Sequence, residues 1–421
     1  MKRSVLLFLI FICASGIRTY AQQQLINGKL VPAVLRMKNG DSVTTIKQWE
    51  EKRRPELIDF FRKEMYGQSP GKPTQLTFKV FDSDKKALGG KATRKQIAVY
   101  FEGNKDVEMG ILLYIPNQVK HKVPAFVSLN FFGNQSVHPD TSIKLPTGRM
   151  VLEGQGVVNH LATAASRGSD TARWPIEMIL DKGYAIATVY YGDIDPDNRT
   201  EITTGVRSLY PDLQNRADNF GTIAAWAWGL SRAMDYLETD KRIDSKRIAV
   251  LGLSRLGKAA LWAGATDERF TLTISNESGA GGAKLFHSIA GESIRKLCTK
   301  FPNWYCRNFN KYIDRDDVLP FDQHMVISLV APRPVYIASA SEDLNSNPEG
   351  EFWGAKGADP VYRLLNTNGL PAASWPAINT PITGRIAYHN RSGKHDITNY
   401  DWIQFLNFAD RYLKDQYPVD R

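Results

Sequence analysis

Cysteine is scarce in this chain of 421 residues, which contains 3 cysteines and 7 histidines. Cys13 lies close to the N-terminus, so the body of the protein has only Cys298 and Cys306. A disulfide framework is therefore excluded, while a single bond across the short loop between these two residues and a pair of buried thiols both stay open. No His-Glu-x-x-His motif or paired Cys-x-x-Cys motif is present, so the sequence offers no recognisable zinc site.

Phosphate-binding loops, blocks of Lys and Arg, internal repeats and low-complexity segments are also absent from the sequence. The formal net charge of +10 comes from basic residues that are scattered along the chain. A scattered excess of this size is typical of solvated surface charge and does not indicate a nucleic-acid partner. We therefore expect neither a nucleotide cofactor nor a nucleic acid among the ligands of this protein.

One acidic segment superficially resembles a calcium-binding loop. Asp193, Asp195 and Asp197 alternate with other residues, as the first ligands of such a loop do. However, the sixth position is Asn198 where a glycine is needed for the turn, and the twelfth is Thr204 where glutamate is the usual bidentate ligand. The sequence therefore predicts no metal site and no cofactor.

The strongly apolar segment of the chain lies at its N-terminus. Met1-Lys2-Arg3 precedes a run from Val5 to Ile12, and small Ala21 stands before Gln22. This pattern predicts a signal peptide of residues 1–21, because the run is too short to span a bilayer. We expect residues 22–421 to form one catalytic domain, secreted or periplasmic, monomeric and free of the membrane once the signal is removed.

Short apolar runs alternate with helical stretches through most of the remaining chain. This alternation, with runs suited to buried parallel strands, predicts an α/β protein with a three-layer α/β/α sandwich. The predicted strands lie near 96–101, 109–115, 123–131, 184–191, 248–253, 270–275, 334–341 and 386–389, and the clearest helices near 221–236 and 402–413. A helical stretch over 44–66 is expected to break at Pro55.

The sequence Gly252-Leu253-Ser254-Arg255-Leu256-Gly257 lies between a predicted strand and a predicted helix. A serine at such a sharp turn exposes its hydroxyl at the top of an α/β-hydrolase sheet, where the following backbone N–H groups meet a developing oxyanion. The spacing is one residue longer than the usual Gly-x-Ser-x-Gly, and glycines with serine also occur in ordinary turns. Ser254 is therefore a candidate nucleophile that needs support from other residues.

That support comes from a histidine and two acids further along the chain. His395 lies in a polar loop after a predicted strand and before the last helix, where an α/β-hydrolase carries its general base. Glu277 and Asp343 each follow a predicted strand, and either gives the order serine, acid, histidine. The usual position of the acid in this fold favours Asp343.

Several blocks together resemble the glucuronoyl esterases of carbohydrate esterase family 15. These are the Ser254 block, Asn276-Glu277-Ser278-Gly279-Ala280-Gly281-Gly282 and Gly393-Lys394-His395, and the resemblance runs from about Trp49 to the C-terminus. It implies an α/β-hydrolase fold and a cofactor-free serine esterase. Such enzymes cleave the ester between 4-O-methyl-glucuronic acid on xylan and lignin alcohols, so the implied partners are glucuronoxylan and lignin-carbohydrate esters.

The resemblance also implies roles for single residues. Ser254 becomes the nucleophile and His395 the base, with Glu277 as the principal acid and Asp343 as a second acid beside it. Arg255 would direct its guanidinium at the oxyanion, which a charged donor stabilises more than a neutral one. Lys258 and Glu292 would bind sugar hydroxyls.

The sequence departs from the family in two places. Leu253 and Asp396 stand where fungal-type members carry cysteines, so that disulfide is absent. Asn345 stands where many relatives have a tryptophan that packs on the uronic acid, which implies a different sugar contact. Two alternatives therefore stay open: another secreted carbohydrate esterase, such as an acetyl xylan esterase, and a glycan-binding homologue without catalysis.

Overall fold

The computed structural model describes residues 23–198, 204–288 and 290–414. Within these ranges the strands are β1 (Gln23–Ile26), β2 (Lys29–Pro32), β3 (Leu76–Ala87), β4 (Ala92–Phe101), β5 (Asn104–Pro116), β6 (Val123–Asn130), β7 (Val157–Val158), β8 (Leu161–Ala162), β9 (Ala185–Tyr190), β10 (Ile243–Leu253), β11 (Leu272–Asn276), β12 (Val335–Ala340), β13 (Ile382–Thr383) and β14 (Ile386–Arg391). Ten of them form one sheet in the order β13-β14-β12-β11-β10-β6-β9-β5-β4-β3.

The helices of the described residues are α1 (Ile46–Gln48), α2 (Arg54–Phe61), α3 (Ile176–Asp181), α4 (Tyr191–Ile194), α5 (Pro211–Gln214), α6 (Thr222–Leu237), α7 (Arg255–Thr266), α8 (Ile294–Lys300), α9 (Gln323–Ser328), α10 (Pro348–Gly357), α11 (Asp359–Leu364) and α12 (Asn399–Leu413). The chain therefore alternates strands and helices from β6 to its last helix, as the apolar pattern predicts.

The sheet is parallel where the candidate catalytic residues follow its strands. β9, β6, β10, β11, β12 and β14 pair in parallel, whereas β3, β4 and β5 form an antiparallel extension beside β9. In a parallel sheet the carboxyl ends of the strands meet at one edge, which is where ligands bind in this architecture. The loops that carry Ser254, Glu277, Asp343 and His395 consequently lie at the same edge.

Apolar side chains cover both faces of this sheet. Along β10, Ile248 and Val250 belong to one buried cluster while Ala249 and Leu251 belong to another. The first cluster also contains the apolar face of α6, and the second contains that of α12. Because successive side chains of a strand point to opposite faces, this division confirms the predicted three-layer α/β/α sandwich.

Two differences from the sequence prediction concern the N-terminal part of the fold. The helical stretch continues through Pro55, because a π-helical turn over Trp49–Arg53 precedes it and the Arg54 N–H donates to the Trp49 carbonyl five residues back. The prediction of a break there is therefore wrong. In addition, the exposed edge strand β3 was not expected from the sequence pattern, although its partner β4 and the next strand β5 were.

The predicted signal peptide of residues 1–21 lies outside the described residues, so it and the boundary of a 22–421 catalytic domain stay predictions. Among the helices that the structure describes, none has the length and apolar character needed to cross a membrane. Cys298 and Cys306 are both free thiols, which settles the open question about a bond between them in favour of reduced cysteines.

Candidate active site

Ser254 stands at the sharp turn between β10 and α7. Its backbone has φ 60° and ψ −130°, a left-handed conformation that is costly for a residue other than glycine. Close packing enforces the turn: a Cβ on Gly252 would lie 2.0 Å from the Leu256 carbonyl oxygen, and one on Gly257 would lie 2.9 Å from the Gly252 carbonyl oxygen. The two glycines of the motif therefore permit the strain that exposes the serine.

Asn276 connects the serine turn with the histidine loop. Its carbonyl oxygen accepts a hydrogen bond from the Ser254 N–H at 2.8 Å, and its side-chain amide donates to the Asp396 carbonyl at 3.0 Å. The Ser254 hydroxyl and the His395 Nε2 atom have no hydrogen-bond partner among the described residues, and 40 % of the histidine side chain is exposed. Asn276 thus links the turn that carries Ser254 to the loop that carries His395.

His395 contacts both predicted acids through its Nδ1 atom. The Asp343 Oδ2 atom lies 2.6 Å from Nδ1, and the Glu277 Oε2 atom lies 3.0 Å from it. The structure therefore brings together three of the predicted residues, Glu277, Asp343 and His395. The contact to Asp343 is the shorter of the two, although the family resemblance had implied that Glu277 is the principal acid.

Other contacts explain this difference between the two acids. Glu277 is fully buried, and its Oε1 accepts from the Arg391 guanidinium at 2.7 Å while its Oε2 accepts from the Asp396 N–H at 3.0 Å. Besides the histidine, Asp343 accepts hydrogen bonds from Ser346, whose N–H lies 3.2 Å away. Glu277 therefore uses most of its acceptor capacity to hold the histidine loop. Asp343 has fewer other hydrogen-bond donors around it and makes the closer contact to His395.

The electrostatics of the site follow from these contacts. Burial lowers the pKa of His395, but the hydrogen bonds to Asp343 and Glu277 outweigh it and raise that pKa to about 10. Burial raises the pKa of Glu277 to about 7 against the opposing influence of His395 and Arg391. Burial also raises the pKa of Asp343, but hydrogen bonds from His395 and Ser346 leave it below its usual value. Asp343 thus stays ionised to low pH, whereas Glu277 changes charge near neutrality.

Arg255, the residue after the nucleophile, is held in a fixed position. Its Nη1 donates to the Asp197 carboxylate at 2.7 Å, and its guanidinium lies 5.2 Å from the ring centre of Trp304. The Asp197 carboxylate also accepts from the Trp304 indole at 2.7 Å, so arginine, acid and indole form one unit. The Arg255 Nε atom is buried and has no acceptor among the described residues, whereas 24 % of the side chain as a whole is exposed.

Lys258 and Glu292 meet beneath the same turn. The buried Lys258 ammonium donates to the carbonyls of Ser278 and Ala280 at 2.8 and 2.6 Å and to the Glu292 carboxylate at 3.0 Å. These three acceptors account for all three ammonium protons. A sugar hydroxyl at Lys258 would have to replace one of them, so the direct sugar contact predicted for Lys258 stays a prediction.

Asn345 lies beside Glu292 on the loop that carries Asp343. Its carbonyl accepts from the Glu292 N–H at 2.9 Å, and its side-chain oxygen accepts from the Lys296 ammonium. Next to it, 74 % of the Leu344 side chain is exposed. Asn345, which is paired with Lys296, and the exposed Leu344 therefore lie at the surface near Glu292.

The three aspartates of the apparent calcium loop point to different partners. Asp193 accepts from the Gly110 N–H, Asp195 pairs with Arg207, and Asp197 pairs with Arg255. Among the described residues, the grouping with ligand atoms close enough for a metal ion is instead Glu277, Asp343 and His395, whose atoms lie within 4.8 Å of one another. The hydrogen-bonding distances within that group fit a triad with a second acid, and the expectation of no metal stays a prediction.

Sequence reasoning missed a buried network behind the histidine loop. Arg391, at the end of β14, donates to Glu277 and to the carbonyls of Lys394 and Asp396, and also to Asp401 at 2.8 Å. Asp401 lies in the first turn of α12 and accepts from His389 at 2.8 Å. The polar residues His389, Asn390 and Arg391 at the end of this strand were the available signal for the network.

The family model, the curated relatives and the solved structure that match this chain are all described as esterases. A family model described as "Glucuronyl esterase, fungi" matches residues 133–366. The chain is 47 % identical over 388 residues to carbohydrate esterase MZ0003 of an unknown prokaryotic organism, which covers 91 % of this chain and 89 % of the relative. It is 31 % identical over 241 residues to 4-O-methyl-glucuronoyl methylesterase 1 of Phanerochaete chrysosporium, about half of each chain. The solved glucuronoyl esterase from Solibacter usitatus superposes with a TM-score of 0.85 at 42 % identity, covering 91 % of this chain and 98 % of its own.

Proposed function

The chain belongs to the glucuronoyl esterase family, carbohydrate esterase family 15, and on that premise we propose which ester it cleaves and with which residues. It is a carboxylic ester hydrolase with the α/β-hydrolase fold. The proposed substrate is the ester between 4-O-methyl-glucuronic acid on glucuronoxylan and a lignin alcohol. The observation that carries this proposal is the strained Ser254, linked through Asn276 to the loop of a histidine whose Nδ1 atom contacts two carboxylates.

The proposed first half-reaction forms an acyl-enzyme. The Ser254 Oγ attacks the carbonyl carbon of the uronate ester while His395 Nε2 takes the hydroxyl proton. The carbonyl oxygen becomes an oxyanion, which the Arg255 guanidinium stabilises by a charge-assisted hydrogen bond. When the carbon–oxygen bond to the alcohol breaks, Nε2 returns the proton to the departing alcohol oxygen.

The second half-reaction uses the same groups on water. His395 Nε2 takes a proton from water, the resulting hydroxide attacks the acyl carbon, and Ser254 leaves with the proton from Nε2. Asp343 holds the imidazole in the tautomer that exposes Nε2 and stabilises its cation, and Glu277 supports both through Nδ1 and the Asp396 N–H. The products are the alcohol and the uronic acid with a free carboxylate, still attached to the xylan.

For the sugar we propose that Glu292 is the direct contact and that Lys258 orients it. The Lys258 ammonium fixes one Glu292 oxygen at 3.0 Å, and Lys284 donates to the Glu292 carbonyl at 2.7 Å. One lysine thus fixes the Glu292 carboxylate and another fixes its backbone, so the carboxylate accepts hydrogen bonds from sugar hydroxyls with little loss of side-chain entropy. Asn345 and Leu344 lie near Glu292 at the surface. We expect them to contact the sugar ring in place of the tryptophan that packs on it in many relatives.

Kinetics on two substrates test this function. Wild-type protein is expected to hydrolyse benzyl glucuronate and to leave the acetyl groups of acetylated xylan in place. Faster release of acetate from acetylated xylan than of benzyl alcohol would favour an acetyl xylan esterase instead. The absence of hydrolysis of both substrates would indicate a glycan-binding protein without catalysis. Secretion through residues 1–21 and a monomeric state stay part of the proposal.

A further inference from the structure

Two cavities lie side by side where the chain leaves β9. Their volumes are about 300 and 590 Å³, which fall within the usual range of roughly 300–1,000 Å³ for small-molecule sites. Both are lined by the same central residues: Asp106, Glu108, Pro146, Gly148, Tyr190 and Asp193. The two cavities therefore share a wall and together form one groove, which we call the β9 groove.

The β9 groove reaches the catalytic site through Asp197. This residue lines the larger cavity, and its carboxylate binds the Arg255 guanidinium at 2.7 Å. Arg255 directly follows the candidate nucleophile. The other end of the groove is lined by Phe81 and Lys144, with the Lys144 ammonium 5.3 Å from the phenyl ring centre. A ligand in the groove would thus extend away from the ester on the side of the antiparallel strands.

Two polar groups with unused hydrogen-bonding capacity lie at the junction of the cavities. Tyr190 is 97 % buried, since only 3 % of it is exposed, and its hydroxyl accepts from the Val151 N–H at 2.7 Å. The proton of that hydroxyl has no acceptor among the described residues. Asp193 accepts the Gly110 N–H at 3.0 Å on one oxygen, and the structure describes no partner for the other. Tyr190 therefore offers a hydrogen-bond donor, and Asp193 an acceptor, to a ligand in the groove.

The charges of the groove favour a neutral ligand. The basic side chains of Lys105, Lys144 and Arg149 face the acidic side chains of Asp106, Glu108, Asp193 and Asp197 among its lining residues, and the charge of Asp197 is already balanced by Arg255. Burial also raises the pKa of Asp193 to about 7, so its free oxygen can either accept or donate near neutral pH. Balanced charge with paired donors and acceptors suits a polyhydroxylated chain better than an anion or an aromatic alcohol.

We propose that the β9 groove binds the neutral sugar chain that carries the esterified uronate, with Tyr190 and Asp193 hydrogen-bonding its hydroxyls. This proposal rests on the proposed function, because it concerns the part of the same substrate beyond the uronic acid. It assigns the polysaccharide to the β9 side of Ser254, so the alcohol leaves on the opposite side, toward β12 and β14.

Direct binding of an oligosaccharide without an ester tests the groove. Isothermal titration with a linear xylo-oligosaccharide lacking uronic acid is expected to show binding to the wild-type protein. Gly148 lines both cavities and has open space where a Cβ would be placed, so Gly148→Trp should fill the groove without a clash and weaken binding at least tenfold. Gly71 also faces open space but lies outside the groove, and the matched control Gly71→Trp should bind as the wild type does.

A smaller change guards against misfolding of the tryptophan variant. Tyr190→Phe removes one hydroxyl and keeps the ring, and it is expected to weaken binding about tenfold, in the range of one lost hydrogen bond. Unchanged binding by a folded Gly148→Trp or by Tyr190→Phe, or no binding by the wild type, would overturn the proposal. Because the probe contains no ester, these results are independent of benzyl glucuronate hydrolysis, which tests the proposed function by itself.

Discussion

The two carboxylates at His395 lead to a prediction about the pH dependence of catalysis. As general base, His395 must be neutral, and contact with Asp343 and Glu277 raises its pKa to about 10. Removing one negative charge beside an imidazole lowers its pKa by about 1–3 units. Asp343→Asn or Glu277→Gln should therefore move the acid limb of the kcat/KM profile toward lower pH, even though the rate on the plateau falls.

The structure also predicts which change has the larger effect. Asp343 lies 2.6 Å from Nδ1, whereas Glu277 lies 3.0 Å away and is already paired with Arg391 at 2.7 Å. We expect Asp343→Asn to shift the acid limb further than Glu277→Gln. Each single change should cost about 10–100-fold in kcat, because the other acid still orients the imidazole. The double change should cost about 10⁴-fold, which is the scale of losing the orienting acid of a triad.

The assay is hydrolysis of benzyl glucuronate between pH 5 and 10 by the wild type, both single variants and the pair. Asp410→Asn is a matched control, because that carboxylate binds Tyr184 far from the histidine loop. A larger shift and a larger loss for Glu277→Gln than for Asp343→Asn would refute the reasoning from distances. They would restore Glu277 as the principal acid, as the sequence resemblance had indicated.

Three further predictions concern single residues around this site. Arg255→Gln should lower kcat about 100-fold with little change in KM, as expected for one lost oxyanion donor, and a change confined to KM would make it a binding residue. Arg391→Met should lower the free energy of unfolding by about 3–5 kcal/mol in denaturant titrations, because Glu277 and Asp401 lose a buried partner. Wild-type stability in that variant would show that the network is not needed. Glu292→Gln should raise KM for the uronate ester about tenfold with kcat preserved, and unchanged KM would remove it from the sugar site.

The sequence pattern was sufficient for the catalytic half of the fold. Buried parallel strands read as continuous apolar runs, so β6, β9, β10, β11, β12 and β14 could be placed to within a few residues. Once these strands are parallel, the residues that follow them must meet at one edge. For this reason the sequence alone predicts that four residues lie together: Ser254, Glu277, Asp343 and His395.

Contacts between segments that are distant in the sequence could not be predicted from the pattern of apolar residues. The ranking of Glu277 and Asp343 depends on Arg391, which reaches from β14 to an acid 114 residues earlier, and spacing carries no information about such a pair. The exposed strand β3 alternates apolar and polar residues only from Leu76 to Val80, and most of its second half is polar or charged. Lys258 was expected to face the sugar, but its burial and three acceptors emerge only from the packing of α7 on the 278–280 turn.

Covalent capture tests the central claim most directly. Wild-type protein quenched in acid during turnover of benzyl glucuronate should carry one glucuronoyl group, and peptide mapping by mass spectrometry should locate it on Ser254. Ser254→Ala, shown to be folded, should carry none and should lose several orders of magnitude in turnover. A glucuronoyl group on another residue, or turnover by Ser254→Ala within about tenfold of the wild type, would contradict the account.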